Sequence, residues 1–289
     1  MSHSIQTYRA LSPAKVNLFL HINNRRSDGY HSLQTVFQLL DWGDEMEFEL
    51  LDPGAGVTLR TPMPGVSVDD NLILRAAALL TEQLHHRHLQ PSCGVAISVR
   101  KTIPMGGGLG GGSSNAGTTL RVLNQLWQSP LTEQQLIQLA LQLGADVPVF
   151  AMGRSAWAEG IGEQLQPVDL PTRWYVVLNP RCHVSTAEIF AAPELTRDTP
   201  AITMSAVFAG QVRNDLQPVV TARYPAVKRA LELLKASAPS MMTGSGACVF
   251  AAFDSEASAK AVASTMPCSV DTMVAKGINR SPSIIEVRN

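Results

Sequence analysis

The stretch Pro104-Met105-Gly106-Gly107-Gly108-Leu109-Gly110-Gly111-Gly112-Ser113-Ser114 constrains this chain more than any other, because six of its eleven residues are glycine. Such a run has no side chains to pack and loses much backbone entropy on folding. It belongs where something must approach the backbone closely. Before it, Val95-Ala96-Ile97-Ser98-Val99 alternates like a strand; after it, Ala116, Leu120, Leu123 and Trp127 recur at helical spacing. The glycines therefore join a strand to the first turn of a helix. Free N–H groups and the positive end of the helix dipole converge there, which suits a phosphate. The competing reading is a flexible surface linker, but linkers rarely tie a strand so tightly to a helix.

Three known phosphate loops can be tried on these residues. A Walker A loop ends in Gly-Lys-Ser/Thr, and the chain has no Gly-Lys pair. A dinucleotide fingerprint is literally present as Gly106-x-Gly108-x-x-Gly111, but that fold next requires a strand ending in an acidic residue, and Thr132 to Leu143 reads as a second helix. A protein-kinase loop needs His-Arg-Asp and Asp-Phe-Gly further on, and both are missing.

Elsewhere the pattern is that of an α+β chain. Strands are expected over 7–23, 33–51, 57–60, 155–159, 174–178, 248–253 and 270–276. Helices are expected from Leu72, capped by Asp70 or Asn71, and over 132–143, about 204–212, 225–237 and 255–266. The second half reads as helices on one face of an antiparallel sheet, with a boundary near 155–170 that divides the chain into 1–160 and 161–289. A Pro- and Thr-rich loop covers 193–203, and the segment 193–212 carries no recognisable motif.

With 289 residues, 45% of them hydrophobic, the chain can bury a sizeable core. Its net charge of −1 gives no general attraction to nucleic acid or acidic membranes. Cys93, Cys182, Cys248 and Cys268 form no Cys-x-x-Cys pair and read as reduced thiols. His85, His86 and His88 have no second cluster beside them and read as a solvated helix end. The stretch Met1–Gln6 lacks the apolar core of a signal peptide, and no apolar run approaches spanning length, so a cytoplasmic protein is expected.

Four features then stand out together: Lys15 and Asn17 in an apolar strand, the loop 104–114, Asp146 before Val147-Pro148-Val149-Phe150, and a second glycine turn, Thr243-Gly244-Ser245-Gly246-Ala247. A charge in apolar company must be paired or functional; the alternative for Asp146 is a helix cap, with Pro148 in the first turn. Phosphoryl transfer needs a cradle for the triphosphate, a group for the acceptor proton and positive charge where negative charge develops. The loop is the cradle, Asp146 the candidate base and Lys15 the candidate cation. The second turn can close over phosphate or acceptor with its own N–H groups. Tyr30 and His31, directly after Gly29, read either as a ligand-facing pair or as an ordinary turn into the next strand.

These blocks resemble the GHMP kinase superfamily. Ser12-Pro13-Ala14-Lys15-Val16-Asn17-Leu18, the loop 104–114 and Thr243-Gly244-Ser245-Gly246-Ala247-Cys248 look like its three motifs. Arg26-x-Asp28-Gly29-Tyr30-His31-x-Leu33-Gln34-Thr35 and Leu143-Gly144-Ala145-Asp146-Val147-Pro148-Val149-Phe150 are similar to one branch, which phosphorylates a cytidine diphosphate-linked methylerythritol on the way to isoprenoid precursors. The resemblance implies a two-domain fold, with a ribosomal-protein-S5-like N-terminal domain and a ferredoxin-like C-terminal domain. It implies ATP with Mg²⁺, held by Pro104 to Ser114 with Asn71 and Lys101 nearby, and metal ligands that the sequence leaves unassigned. Asp146 and Lys15 are the implied catalytic pair. Asn17, Gly244 and Ser245 lie on the acceptor, and Tyr30, His31 and Phe190 hold the cytidine, Tyr30 and Phe190 by stacking and His31 by hydrogen bonding. The partner is a small molecule, with no nucleic acid or membrane, and the chain is a monomer or weak homodimer. A homoserine or mevalonate kinase of the same superfamily would leave the block 28–31 unexplained. A dinucleotide oxidoreductase would use only the glycine fingerprint. A catalytically dead relative has no need of both Lys15 and Asp146.

Overall fold

The computed structural model describes residues 6–27, 29–63 and 65–287. Residues 1–5 of the N-terminal stretch, and Asp28 of the block 28–31, lie outside the described residues. The chain opens with two long antiparallel strands, β1 (Thr7–Arg25) and β2 (His31–Leu51), the second ending at the turn sequence Asp52-Pro53-Gly54. The alternation expected in β1 does not survive as one wet and one dry face: Val16 and Phe19 are fully buried, and Asn17 and His21 nearly so. The strand is covered on both sides. Register shifts at Pro13/Lys15 and Asn17/Leu20 also turn successive side chains off a strict period of two.

Next come β3 (Val57–Leu59), α1 (Leu72–His86), β4 (Gly94–Arg100), α2 (Gly111–Leu126), α3 (Glu133–Leu141), α4 (Val147–Met152), β5 (Ala156–Glu159) and β6 (Gln164–Pro167). Asn71 caps α1, its side chain accepting from Ile73 N at 3.0 Å. Thr132 and Gln135 form a capping box on α3. Leu80 of α1 and Leu120 and Leu123 of α2 pack with Phe48 of β2 and Ile97 of β4 in one buried cluster. The apolar spacing after the glycine loop is therefore the face that fixes α2 to the sheet.

The second half contains β7 (Trp174–Asn179), α5 (Thr186–Ala191), α6 (Met204–Phe208), α7 (Gln217–Arg223), α8 (Pro225–Lys235), β8 (Ser240–Met242), β9 (Val249–Phe253), α9 (Glu256–Ala263), β10 (Asp271–Ile278) and β11 (Ile285–Val287). Its four main strands lie in the order β10-β7-β9-β8, all antiparallel. With α8 after β7 and α9 after β9, this is the split βαβ arrangement of a ferredoxin-like unit. Some elements differ from expectation. α6 stops at Phe208 rather than 212, before Gly210 in a left-handed conformation (φ +73°). The short elements β6, α5, α7, β8 and β11 have too few residues for a period to show.

The two halves share one sheet. Leu39 and Leu40 of β2 pair with Ile278 and Gly277 of β10, and β11 adds to the edge of β1. Residues 277–287 thus return to the first half. Ala14, Val16 and Leu109 pack with Tyr175, Val177, Cys248 and Phe250 across the junction. That junction holds the glycine loop against the second half.

Candidate active site

At the junction lies a cavity of about 550 Å³. Its floor is Lys15, which is 1% exposed. A buried ammonium needs acceptors, and this one has three: Asn17 Oδ1 at 2.6 Å, the Gly108 carbonyl at 2.9 Å and Asp146 Oδ2 at 3.2 Å. The Phe37 ring lies 5.4 Å from it. Asn17 is held in turn, Nδ2 donating to Thr35 Oγ1 at 3.0 Å and the backbone N–H to Thr243 Oγ1 at 3.0 Å. Lys15 N–H donates to the Leu109 carbonyl at 3.1 Å, so the first strand is tied directly to the loop.

Asp146, a charge in apolar sequence, is paired with Lys15. Val147 to Met152 are buried, but Asp146 keeps a side-chain exposure of 37% and turns toward the cavity. It occupies the N-cap position of α4 and makes no side-chain cap bond there. The cap reading is set aside; its resolved partner is Lys15. Exposure suits a group that must meet a substrate.

The glycines are explained by what surrounds them. Gly108 has φ +74°, and a Cβ there would overlap the Thr243 carbonyl. Gly110 has φ +76°, and a Cβ would stand 2.8 Å from the Phe150 ring and 3.4 Å from Lys15 Cε. Gly110 is also the N-cap of α2, with no side chain to satisfy the first N–H groups of the helix. Those donors are left to a ligand. The second turn crosses the first: Cys248 N–H donates to the Gly107 carbonyl at 3.1 Å and Thr243 Oγ1 reaches the Gly108 carbonyl at 3.2 Å. Asn214 steadies it, donating to the carbonyls of Met242 and Gly244, both at 2.8 Å.

Most of the sequence-derived site meets on this wall. Lys15, Asn17, Lys101, Pro104 to Gly108, Gly110 to Ser113, Asp146, Phe190, Gly244 and Ser245 line the cavity. Two members of the loop do not. Leu109 is a core residue at 1% exposure, and Ser114 is fully buried, its hydroxyl donating to the Pro13 carbonyl at 2.6 Å. Both close the loop onto β1 and stand off the cavity wall. Asn71 is also buried and off the wall, while Leu72 beside it lines the cavity. Ser245 Oγ is 2.6 Å from Thr186 Oγ1.

The far end of the cavity reaches Leu33 and Phe190. There the His31 and Phe190 rings lie 5.3 Å apart at 39°. Tyr30 is 62% exposed, and neither it nor His31 is among the residues lining the cavity; His31 is joined to the cavity through Phe190. Burial, Arg197 and Arg25, in that order, hold the His31 pKa below the ordinary imidazole value.

Sequence reasoning missed Asp44, Thr35, Asn214 and Arg197. Asp44 is fully buried, accepts from Thr102 N at 2.7 Å and Ile103 N at 2.9 Å, and pairs with Lys101. It anchors the strand-to-loop junction and positions Lys101 beside the start of α2. A carboxylate inside a predicted strand, next to Gly43, was the available signal. The other three carry none in isolation.

Comparison with known proteins agrees with this geometry. The GHMP kinases N terminal domain matches residues 71–154 and the GHMP kinases C terminal domain matches 195–271. A 4-diphosphocytidyl-2-C-methyl-D-erythritol kinase of Thiobacillus denitrificans is 52% identical over 271 residues, covering 94% of this chain and 95% of its own. A crystal structure of a 4-(cytidine 5'-diphospho)-2C-methyl-D-erythritol kinase superposes with a TM-score of 0.80 at 33% identity, covering 93% of this chain and 98% of its own. A homoserine kinase from Cytophaga hutchinsonii shares the fold, with a TM-score of 0.67 at 17% identity, 99% of this chain and 98% of its own.

Proposed function

The chain belongs to the GHMP kinases and, within them, to the 4-diphosphocytidyl-2-C-methyl-D-erythritol kinases, and on that premise we propose how its cavity divides the work of the reaction. The activity is ATP-dependent phosphorylation of the 2-hydroxyl of 4-diphosphocytidyl-2-C-methyl-D-erythritol, a step of the methylerythritol phosphate route to isoprenoid precursors. The observation that carries the assignment of roles is the buried Lys15 ammonium, 3.2 Å from the Asp146 carboxylate, under the crossing of the two glycine turns.

Asp146 accepts the proton of the acceptor hydroxyl. Lys15 holds that carboxylate in place from 3.2 Å and adds positive charge where the transferred phosphoryl develops negative charge. The glycine loop and the open N–H groups of α2 hold the triphosphate, and Lys101 adds a cation at their edge. Asn71 acts indirectly, by capping the helix whose Leu72 forms part of the wall. Asn17, Gly244 and Ser245 position the acceptor. The remote cytidyl end is held by Tyr30, His31 and Phe190, and its binding energy places the hydroxyl at Asp146.

The donor set fits a Mg²⁺ that arrives on the nucleotide. No group of three His, Cys, Asp or Glu side chains is gathered among the described residues, and Mg²⁺ typically takes one or two carboxylates plus phosphates and waters. The Ser113 hydroxyl in the first turn of α2 is the protein oxygen that would meet it, and the ion would neutralise phosphate charge. We divide the chain at about residue 160, with 277–287 returning to the first half. We propose a monomer or weak homodimer working in the cytoplasm. No helix among the described residues is long and apolar enough to cross a membrane.

The test is ADP release measured with the cytidyl substrate and with homoserine in parallel. Turnover with the first and background with the second is expected. Turnover with homoserine alone would overturn the assignment.

A further inference from the structure

Between α5 and α6 the chain runs without regular structure, and Arg197 sits in that run. Its guanidinium is held by backbone carbonyls: Nη2 donates to Phe190 O at 3.0 Å and Ala192 O at 2.7 Å, and Nη1 to Leu195 O at 3.0 Å. These are the carbonyls at and after the end of the helix that carries Phe190. The remaining Nε–H points across to the other half of the molecule and donates to His31 Nε2 at 3.1 Å. Arginine has donors only, so His31 Nε2 must accept. An accepting ring nitrogen carries no proton, and the neutral imidazole then carries its proton on Nδ1. A second proton on Nε2 would set two donors against each other beside a guanidinium. The depressed His31 pKa has the same cause, after burial.

We propose that Arg197 is the positioning residue for base selection: it fixes His31 as a neutral Nδ1–H donor beside Phe190, so that this end of the cavity asks for an acceptor on the edge of the pyrimidine. The proposal rests on the reading that the cytidyl group occupies this end. Cytosine has a bare N3, which accepts. Uracil has N3–H, which donates and would face another donor. Stacking on Phe190 cannot tell the two apart, because both rings offer the same face. A fixed donor can, since the wrong base leaves it unpaired or opposed. The opposite tautomer, with Nδ1 accepting, would reverse the preference at that contact. The segment 193–203 is placed to hold this arrangement. Asn23 Nδ2 donates to the Thr199 carbonyl at 2.9 Å, and Ile202 N–H to Gln34 Oε1 at 2.8 Å, so it is strapped to the strand pair that carries His31.

The test has two readouts on the full chain. Long-range ¹H–¹⁵N spectra of the histidine-labelled protein, with His31→Gln to assign the ring, should show Nδ1 protonated and Nε2 bare. In parallel, kcat/KM is measured with the cytidine and uridine forms of the substrate for wild type, Arg197→Met and Arg197→Lys. Arg197→Met should lose about tenfold or more of the cytidine preference, through KM for the cytidyl substrate with kcat little changed. Arg197→Lys keeps a donor toward Nε2 and should retain more of the preference. A wild-type ring protonated on Nε2 overturns the proposal, as does an unchanged preference in Arg197→Met. If Arg197→Met does not fold, the wild-type spectrum and Arg197→Lys decide. Equal use of both bases by the wild type would overturn this proposal and the cytidyl reading together. An intact preference that Arg197→Met leaves untouched overturns this proposal alone.

Discussion

At the loop end of the cavity, Lys15 is 1% exposed and its ammonium meets three oxygen acceptors, from a strand, the loop and the N-cap of α4. At the other end, Tyr30 is 62% exposed, and His31 meets Phe190 and Arg197 from the other half of the molecule. The first end is closed and over-determined; the second is open and built from loops and element ends. On the roles we propose, the contrast follows from what each end must do. Transfer of a phosphoryl group gains from dipoles and charges already in place. A large, distinctive group such as a nucleotide base must enter and leave, and needs only a stacking ring and one fixed donor. The price of the closed end is visible in Gly108 and Gly110, whose backbone conformations and close contacts leave no room for a side chain.

If the ends differ in this way, the largest effect belongs to Asp146. Asp146→Asn should lower kcat by ~10²–10⁴-fold, the usual contribution of a general base, with ATP affinity little changed. Turnover near that of the wild type would remove the base from the closed end. Lys15→Met should come next, with kcat falling on the order of 10²-fold. It also leaves Asn17 Oδ1 and the Gly108 carbonyl to share the single buried Thr243 hydroxyl, so a stability loss of about 1–3 kcal/mol should accompany it in chemical denaturation. A rise confined to the KM for ATP would make Lys15 a nucleotide ligand instead.

The smallest effect concerns His21, in the strand pair that carries His31. It is 4% exposed, and neither ring nitrogen has a hydrogen-bond partner among the described residues. Burial lowers its pKa, with Asp215 opposing and Arg213 assisting. A group whose folded pKa is depressed contributes stability that is present above its unfolded value, here the ordinary 6.5. That stability is lost as pH falls below this value and through the folded pKa. The melting temperature of the wild type should therefore fall more steeply than that of His21→Leu as pH drops from 7 toward 5. Parallel pH curves would show that His21 is not held neutral.

The closed end was legible in the sequence because its parts are clustered along the chain. A glycine run between a strand and a helix, a lysine inside an apolar strand and an aspartate before an apolar run each violate local expectation, and all three lie on the cavity wall. What the motif could not show is which of its residues face inward. Leu109 and Ser114 stand inside the loop, yet pack on β1 and the core, because the loop has two sides and only one meets the cavity. The open end was less legible. Tyr30 and His31 suggested either a site or a turn, and only family resemblance joined them to Phe190. Arg197 gave no signal, since one arginine in an irregular segment acquires meaning only from carbonyls and a histidine far away in the chain. Asp44 and Asn214 are similar: each does its work through contacts that span many residues. The fold divided along the same line. Long periodic elements such as α1, α2 and the β1–β2 pair were readable, whereas β11, α7 and the return of 277–287 to the first half depend on tertiary pairing.

The central claim is that chemistry and recognition sit at separate ends of one cavity. A double-mutant cycle of Asp146→Asn and Phe190→Ala tests it most directly, with kcat and the KM for the cytidyl substrate measured for all four proteins. Separate ends predict that Asp146→Asn takes its loss in kcat, that Phe190→Ala takes its loss in KM, and that in kcat/KM the double variant equals the product of the two within about twofold. A double variant no worse than Asp146→Asn alone, or a KM that rises as much in Asp146→Asn as in Phe190→Ala, would contradict the account.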